Sequence, residues 1–363
     1  MYRLFISIAS VYALCQWKIH WGAEVEEEYS QQDVTNGNHT TRNDMGKGNN
    51  DKGTTDIPTH PHPTTPHFIH GENFTWQYQP FDLLLAPKLS CPNATFLLLF
   101  AITHPNNTNG RKAVRETWGE TCTAANYSSL ETQNCRLLFL MGTDKEKSQS
   151  KSVLSESKEF DDIVQYDFVD HYYNLTLKVL SMLRFSKEYC SHVPYALKAD
   201  IDSVVDVKRI VDFAWQYRPV MSAVGQIYDN KAVLRDGRWA VPSHVYPREK
   251  YPPYAHGPCY LFSTDLVPGI LREADKVKNW WTVEDAFFMG LLRRAAGGHV
   301  ISVKIWLKWL FKRMLKRALK TPPLVIHDIH HTTTIYKLFD KLKACYNIKA
   351  ACKFPKFQPK LIE

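Results

Sequence analysis

The 363-residue sequence predicts an α/β domain built on a mostly parallel central sheet flanked by helices, and three features carry that expectation. Uninterrupted apolar runs, the pattern of strands covered on both faces, recur from residue 96 onward. Segments with helical spacing of apolar residues lie between those runs, and parallel neighbours need such crossovers. From Glu24 to about His70 the chain is Glu, Asn, Thr, His, Gly and Pro with hardly an aliphatic side chain. Such a segment cannot offset the entropy of ordering, so a flexible stem over residues 24–85 is expected ahead of a single domain over 86–355.

Phe96 to Ile102 is the first apolar run, followed by a polar loop and a helix over Arg111 to Trp118. Leu137 to Gly142 and Ile163 to Phe168 are the next strands, separated by a charged helical stretch from Lys147 to Phe160. After Asn174, an amphipathic helix carries Leu175, Val179, Leu180, Leu183 and Tyr189. The run beginning at Val193 then ends at Asp200 as a fourth strand, and a helix begins near Asp206, a good N-cap residue. Past residue 215 the chain turns aromatic and proline-rich, in Arg238-Trp239-Ala240-Val241-Pro242 and in Tyr251-Pro252-Pro253-Tyr254-Ala255-His256-Gly257. That composition predicts loops and edge strands of an acceptor-binding half rather than central strands. Lys304, Lys308, Lys312, Lys316 and Lys320 recur every four residues, with Arg313 and Arg317 beside them and Trp306, Leu307, Trp309, Leu310, Met314 and Leu315 between. This is the spacing of a basic amphipathic helix.

Ahead of the stem, Leu4 to Trp17 is uncharged and mostly apolar between Arg3 and Lys18. Its fourteen residues fall short of the roughly 20 that span a bilayer. A signal-peptide core and a short anchor over residues 1–23 both fit, and both mean export. Asn-x-Ser/Thr sequons at Asn38, Asn73, Asn93, Asn106, Asn126 and Asn174 agree with a glycosylated lumenal chain. Seven cysteines follow Cys15, and in an oxidising lumen most should pair, with at least one left over. Spacing suggests Cys122 with Cys135 and Cys345 with Cys352. The net charge of +8 does not point to nucleic acid in an exported, glycosylated chain.

The stretch that carries chemistry is Lys198-Ala199-Asp200-Ile201-Asp202-Ser203. Two carboxylates one residue apart at the end of a buried strand can hold Mg²⁺ or Mn²⁺ against a diphosphate. Such cations take one or two protein oxygens and fill their remaining positions with water and phosphate. In doubly covered sheets, ligands bind beyond the carboxyl ends of strands, where Asp200 and Asp202 are predicted to lie. The same pair also fits a solvated turn ahead of a helix, so the rest of the chain decides.

Four blocks, in order, do so. Arg111-Lys112-Ala113-Val114-Arg115-Glu116-Thr117-Trp118-Gly119, the run Asp167-Phe168-Val169-Asp170-His171-Tyr172-Tyr173-Asn174-Leu175-Thr176-Leu177-Lys178, Tyr251-Pro252-Pro253-Tyr254 with Gly257 and Tyr260, and Glu284-Asp285-Ala286 with Gly290 are present. Together they resemble the β-1,3-galactosyltransferase and β-1,3-N-acetylglucosaminyltransferase family over roughly residues 96 to 340. The resemblance implies a GT-A catalytic domain on a single-pass type II Golgi membrane protein, which resolves the N-terminus toward an uncleaved anchor. It implies inverting transfer from UDP-galactose or a UDP-N-acetylhexosamine, with Mn²⁺ or Mg²⁺, to the 3-hydroxyl of an acceptor glycan on protein or lipid. Asp202 is then the direct metal ligand, with Asp200 on the metal or the ribose. His330 is chosen from His327, His330 and His331 to complete the metal site. Arg111, Arg115, Asp170, Lys178 and Lys198 would face the nucleotide sugar, and Asp285 would be the general base, its pKa raised by apolar walls after Trp280-Trp281. Trp239, Tyr251, Tyr254, Gly257 and Glu284 would line the donor and acceptor region.

The chain departs from the family pattern at Ile201, where an Asp is usual, and at His256 and Pro258, where small residues are usual. The basic block before Lys320 matches nothing in that pattern. A noncatalytic glycan-binding or chaperone-like member of the same fold, and an exported metal-dependent hydrolase, are the competing readings.

Overall fold

The computed structural model describes residues 81–123, 134–144, 150–310, 319–347 and 352–363. The expected anchor, nearly all of the stem, and Asn38, Asn73 and Asn126 lie outside the described residues. In chain order the strands are β1 (Leu83–Leu85), β2 (Thr95–Ile102), β3 (Asn134–Thr143), β4 (Ile163–Val169), β5 (Tyr195–Asp200), β6 (Val204–Val205), β7 (Ser222–Tyr228), β8 (Tyr254–Ser263), β9 (His299–Val303), β10 (Leu307–Trp309), β11 (Val325–His327) and β12 (Pro359–Leu361). A nine-stranded sheet runs β1-β4-β3-β2-β5-β8-β7-β9-β12, and a small one runs β10-β11-β6. In the large sheet only β1, β8 and β12 run against the common direction. The predicted mostly parallel α/β architecture is therefore the observed one. β1 and β12 place Leu83–Leu85 and Pro359–Leu361 on the sheet, outside the expected bounds of 86–355.

The apolar runs work as two-faced strands. On β2, Leu98, Phe100 and Ile102 enter one core while Leu97, Leu99 and Ala101 enter the other. The first core is closed by the helices Leu175–Tyr189 and Val267–Ala274 and by the π-helical segment Ala286–Leu292. The second is closed by Thr108–Arg115, Val207–Tyr217 and Thr332–Asn347. Helix Val207–Tyr217 starts as expected, with Asp206 accepting from the Arg209 N–H. The first helix begins three residues before the expected Arg111, because the Asn107 side chain accepts from the Gly110 N–H. A Cβ on Gly110 would lie 2.6 Å from that same Asn107 oxygen, so only glycine allows this start.

Two expectations are corrected. Tyr254–Ser263 is a central strand, buried between β5 and β7, although prolines lead into it and Pro258 stands within it. Its ladder with β7 shifts register between the Gly225–Tyr260 and Ile227–Ala255 pairs, and that bulge accommodates a residue without an N–H. The basic block is not helical where it is described. Leu307–Trp309 is a strand parallel to β11, and Trp306 is fully buried, donating through Nε1 to the Cys259 carbonyl at 2.8 Å. Burial of Trp306 and pairing of its neighbours outweigh the four-residue lysine spacing. Lys304, Lys308 and Lys320 are exposed, while Lys312, Arg313, Met314, Leu315, Lys316 and Arg317 lie outside the described residues.

Disulfides join Cys122 to Cys135 and Cys345 to Cys352, as the spacing suggested, and Cys91 to Cys190. Cys259 is free and buried. No helix among the described residues is long and apolar enough to cross a membrane.

Below the sheet's carboxyl edge lies a buried ion network. Arg115 contacts Asp162 at 2.7 Å and Glu156 at 2.8 Å, and its guanidinium packs between Phe139 and Phe160. Removing one partner of such a network strands buried charge. Arg115→Leu is expected to lower stability by about 3–5 kcal/mol, read by chemical denaturation. A loss below about 1 kcal/mol would mean that the network is solvated.

Candidate functional site

The chain order reverses between β2 and β5, so their carboxyl ends form the crevice in which open α/β sheets bind ligands. Asp200 is the last residue of β5, and its backbone registers with Ile102 at the end of β2. The loop that follows carries Asp202 and Ser203 into β6. There β11 pairs antiparallel, matching Val325 with Val205 and Ile326 with Val204. The next step of that register brings His327 to Ser203, with Nδ1 3.1 Å from Ser203 Oγ and 3.2 Å from Asp202 Oδ1. Ligand atoms of Asp200, Asp202 and His327 all lie within 4.8 Å of one another. His327 is thus the histidine brought to the pair. His330 is exposed and sits 3.4 Å from Asp328, whose φ is 74°, while Ile329 between them is buried and donates its N–H to the Asp202 carbonyl at 3.0 Å.

This donor set suits a divalent cation. One imidazole and two carboxylates match Mn²⁺ better than Mg²⁺. Burial and the nearby Asp202 charge raise the Asp200 pKa despite the pull of Lys198, a repulsion that a bound cation would relieve. Burial opposes the charge on His327, yet Asp202 and Asp200 outweigh it and lift its pKa.

Lys198, on the inner side of Asp200, is buried and contacts Asp200 Oδ1 at 2.8 Å, the Gly257 carbonyl at 2.5 Å and Glu284 Oε1 at 3.3 Å. Burial opposes its charge, and the two carboxylates more than compensate. Gly257 stands in the β8 bulge, where its backbone is free of the β7 ladder. Its N–H donates to Asp285 Oδ2 at 2.9 Å. A Cβ there would come within 3.2 Å of both Asp285 Oδ2 and Glu284 Oε1, which explains the glycine. The other Asp285 oxygen accepts from the Ala286 N–H at 2.8 Å, capping the π-helical segment Ala286–Leu292. Burial first, and the adjacent Glu284 second, push the Asp285 pKa up to about 7. Trp281 reaches this wall by stacking on Tyr246, while Trp280 packs on Phe287.

Tyr254 and Tyr251 lie close enough to Asp285 for its charge to raise their pKa values further above what burial imposes. Trp239 is half-exposed and donates through Nε1 to Tyr172 OH at 2.7 Å, with Arg238 3.6 Å over the Tyr172 ring. On the other side, an aromatic row leaves the metal-ligand cluster. Trp309 is 5.0 Å from His327, His256 is 5.8 Å from Trp309, and Tyr228 is 4.3 Å from His256 and 5.6 Å from Tyr254. Burial, then the charges of His327, Lys198 and Lys231, push the His256 pKa down to about 3, so its ring is neutral. Tyr172, Tyr228 and Trp309 were not among the residues expected at the site. Only the pairing of β10 with β11 and of β7 with β8 brings the last two there, and no local sequence signal announces either.

Four expected nucleotide contacts turn inward. Arg111 is fully buried, with Nε and Nη2 on Glu156 and further bonds to the His104 and Pro105 carbonyls. Arg115 is consumed by Asp162 and Glu156. Asp170 and Lys178 pair at 2.7 Å, Lys178 donating to the Thr103 carbonyl and Asp170 accepting from the Gly142 N–H. These groups fix the ends of β2, β3 and β4, and the three cations are paired with buried carboxylates inside the fold. Asn174, expected as a sequon, is buried, and its Nδ2 donates to the Val169 carbonyl at 2.7 Å. Asn93 and Asn106 are exposed.

Over part of its length the chain is similar to known proteins. The family model described as Galactosyltransferase matches residues 109–304. Human beta-1,3-galactosyltransferase 2 is 28% identical over 212 residues, 56% of this chain and 47% of that protein. Human N-acetyllactosaminide beta-1,3-N-acetylglucosaminyltransferase 4 is 32% identical over 220 residues, 59% of this chain and 56% of that one. Mouse beta-1,3-galactosyltransferase 1 is 29% identical over 254 residues, 69% of this chain and 75% of that one. The matches thus span about half the length of the two human relatives.

His327→Ala should weaken Mn²⁺ binding by at least about tenfold in calorimetry, and His330→Ala should leave it unchanged. The reverse result would return the ligand role to His330.

Proposed function

The chain belongs to the galactosyltransferase family, and from that premise we propose that it transfers galactose or an N-acetylhexosamine from a UDP-sugar to the 3-hydroxyl of an acceptor glycan with inversion. The observation that carries this reading is the link from Asp200 through Lys198 and the Gly257 backbone to Asp285, a buried carboxyl with a pKa of about 7 beside a cluster able to hold a divalent cation. Single-displacement transfer needs both. Asp285 takes the proton of the acceptor hydroxyl as its oxygen attacks the anomeric carbon, and the bond to the β-phosphate oxygen breaks with its electron pair leaving on UDP. Lys198 holds Asp200 and Glu284 and adds positive charge on the diphosphate side. Asp200, Asp202 and His327 would hold Mn²⁺ or Mg²⁺, which supplies Lewis-acid stabilisation of the leaving diphosphate. Exposed Trp239 and Tyr172 offer rings on which a sugar face of the acceptor stacks, with buried Tyr251 and Tyr254 behind the site. Glycosylation at Asn93 and Asn106 and an N-terminal anchor in the Golgi membrane complete the reading, with the acceptor on a lumenal protein or lipid.

Incubating the protein with Mn²⁺, a panel of UDP-sugars and glycan acceptors tests it. Sugar transfer supports the enzyme, UDP-sugar cleavage without regard to acceptor favours a hydrolase, and nucleotide binding without turnover favours a glycan-binding module.

Asp285→Asn should keep UDP and Mn²⁺ affinity while turnover falls by on the order of 10²–10⁴-fold. Asp202→Asn should lose donor and metal affinity together and recover in part with added Mn²⁺. Because Asp285 must be unprotonated to accept a proton, kcat/KM should rise with pH through a limb centred near 7. A profile flat between pH 5 and 8 would remove Asp285 from the role of base.

A further inference from the structure

The proposed transfer leaves His256 without a task, yet its placement is specific. In an in-line displacement the transferred hexose lies between the leaving diphosphate and the base. The row His327, Trp309, His256, Tyr228, Tyr254 spans that interval, from the metal-ligand cluster to the tyrosine beside Asp285. His256 is its middle member and sits on the β8 bulge immediately before Gly257, whose N–H holds Asp285. Its Nδ1 is buried and has no hydrogen-bond partner among the described residues. A buried imidazole nitrogen without a partner is unfavourable, and the cost is relieved when a ligand supplies the matching hydroxyl. The rings of Tyr228 and Trp309 flank the imidazole, with centroids 4.3 and 5.8 Å away, and the residue as a whole is only partly buried.

We propose that His256 reads the transferred hexose of the donor, its Nδ1 forming a hydrogen bond with one sugar hydroxyl while Tyr228 and Trp309 wall the ring. This rests on the reading of the protein as a UDP-sugar transferase. His256 is therefore a specificity-determining residue and takes no proton in the reaction.

UDP shares the nucleotide and diphosphate of the donor but lacks the hexose, which makes it the reference probe. Affinities for UDP, UDP-galactose and UDP-N-acetylglucosamine are measured by calorimetry with Mn²⁺ for the wild type and for His256→Phe, which keeps a ring and removes the hydrogen bond. The expected result is a loss of about tenfold for the UDP-sugar that the wild type binds best, with UDP affinity within about twofold. His256→Asn, which restores an amide at that position, should recover part of the loss. His256→Ala serves the same comparison if the Phe variant does not fold. Equal losses for UDP and UDP-sugar would place His256 at the diphosphate and overturn the inference, as would no loss for either. A wild type that binds none of the three nucleotides overturns the transferase reading and the inference with it, so the two failures are distinguishable.

Discussion

The arrangement depends on one buried ammonium. Lys198 Nζ touches Asp200, Glu284 and the Gly257 carbonyl, and Gly257 in turn holds Asp285. An isolated charge in that position would be strongly disfavoured, and so would each of the carboxylates around it. Together they are stable only in one geometry. Asp200 cannot move relative to Glu284 and Gly257 without stranding a charge. Lys198 also lies opposite Tyr260 in the β5–β8 ladder, so the position of its stem is set by the sheet itself.

On its other edge β8 departs from regular pairing, because the ladder with β7 breaks between Ala255 and Tyr260. At the bulge the strand carries more residues than β7 can pair, and the backbone groups released there point at side chains instead. Gly257 spends its N–H on Asp285 and its carbonyl on Lys198, while Pro258 has no N–H to lose. A strand that looks too rich in proline and glycine for a sheet interior is therefore suited to lie beside the buried Asp285 carboxylate. The same bulge turns His256 toward the aromatic row.

The legible parts of the sequence were those governed by local periodicity. Phe96 to Ile102 and Leu137 to Gly142 announced buried strands because no position is polar, and Ile163 to Phe168 because apolar side chains hold all but Gln165 and Asp167. The turn of Asp200 and Asp202 could be placed because parallel sheets bind ligands at strand ends. What periodicity cannot encode is pairing between distant segments. His327 rather than His330 joins Asp202 because β11 pairs with β6, and nothing in the spacing of three nearby histidines specifies that register. The lysines before residue 320 mimic a helix, yet the indole of Trp306 is drawn under β8, and a three-residue strand results. Arg111, Arg115 and Lys178 carried charge of the right sign for a phosphate, but their carboxylate partners, Glu156, Asp162 and Asp170, could be found only in three dimensions.

Those partners bear on the chemistry. Of the cations expected at the nucleotide, Arg111, Arg115 and Lys178 are each neutralised by a buried carboxylate below the crevice, and Lys198 is shared between Asp200 and Glu284. Under the proposed reading, a diphosphate entering the crevice meets Asp200 and Asp202, which repel it, and one ammonium that is already committed. That balance is unfavourable for an anion unless a divalent cation enters with it. The inward-facing arginines hold the strand ends rigid, and they leave the charge of the leaving group to whatever Asp200, Asp202 and His327 bind. Donor affinity and metal affinity should then be two measures of one interaction, with the buried carboxylates of the site supplying its specificity for a cation–nucleotide pair over either alone.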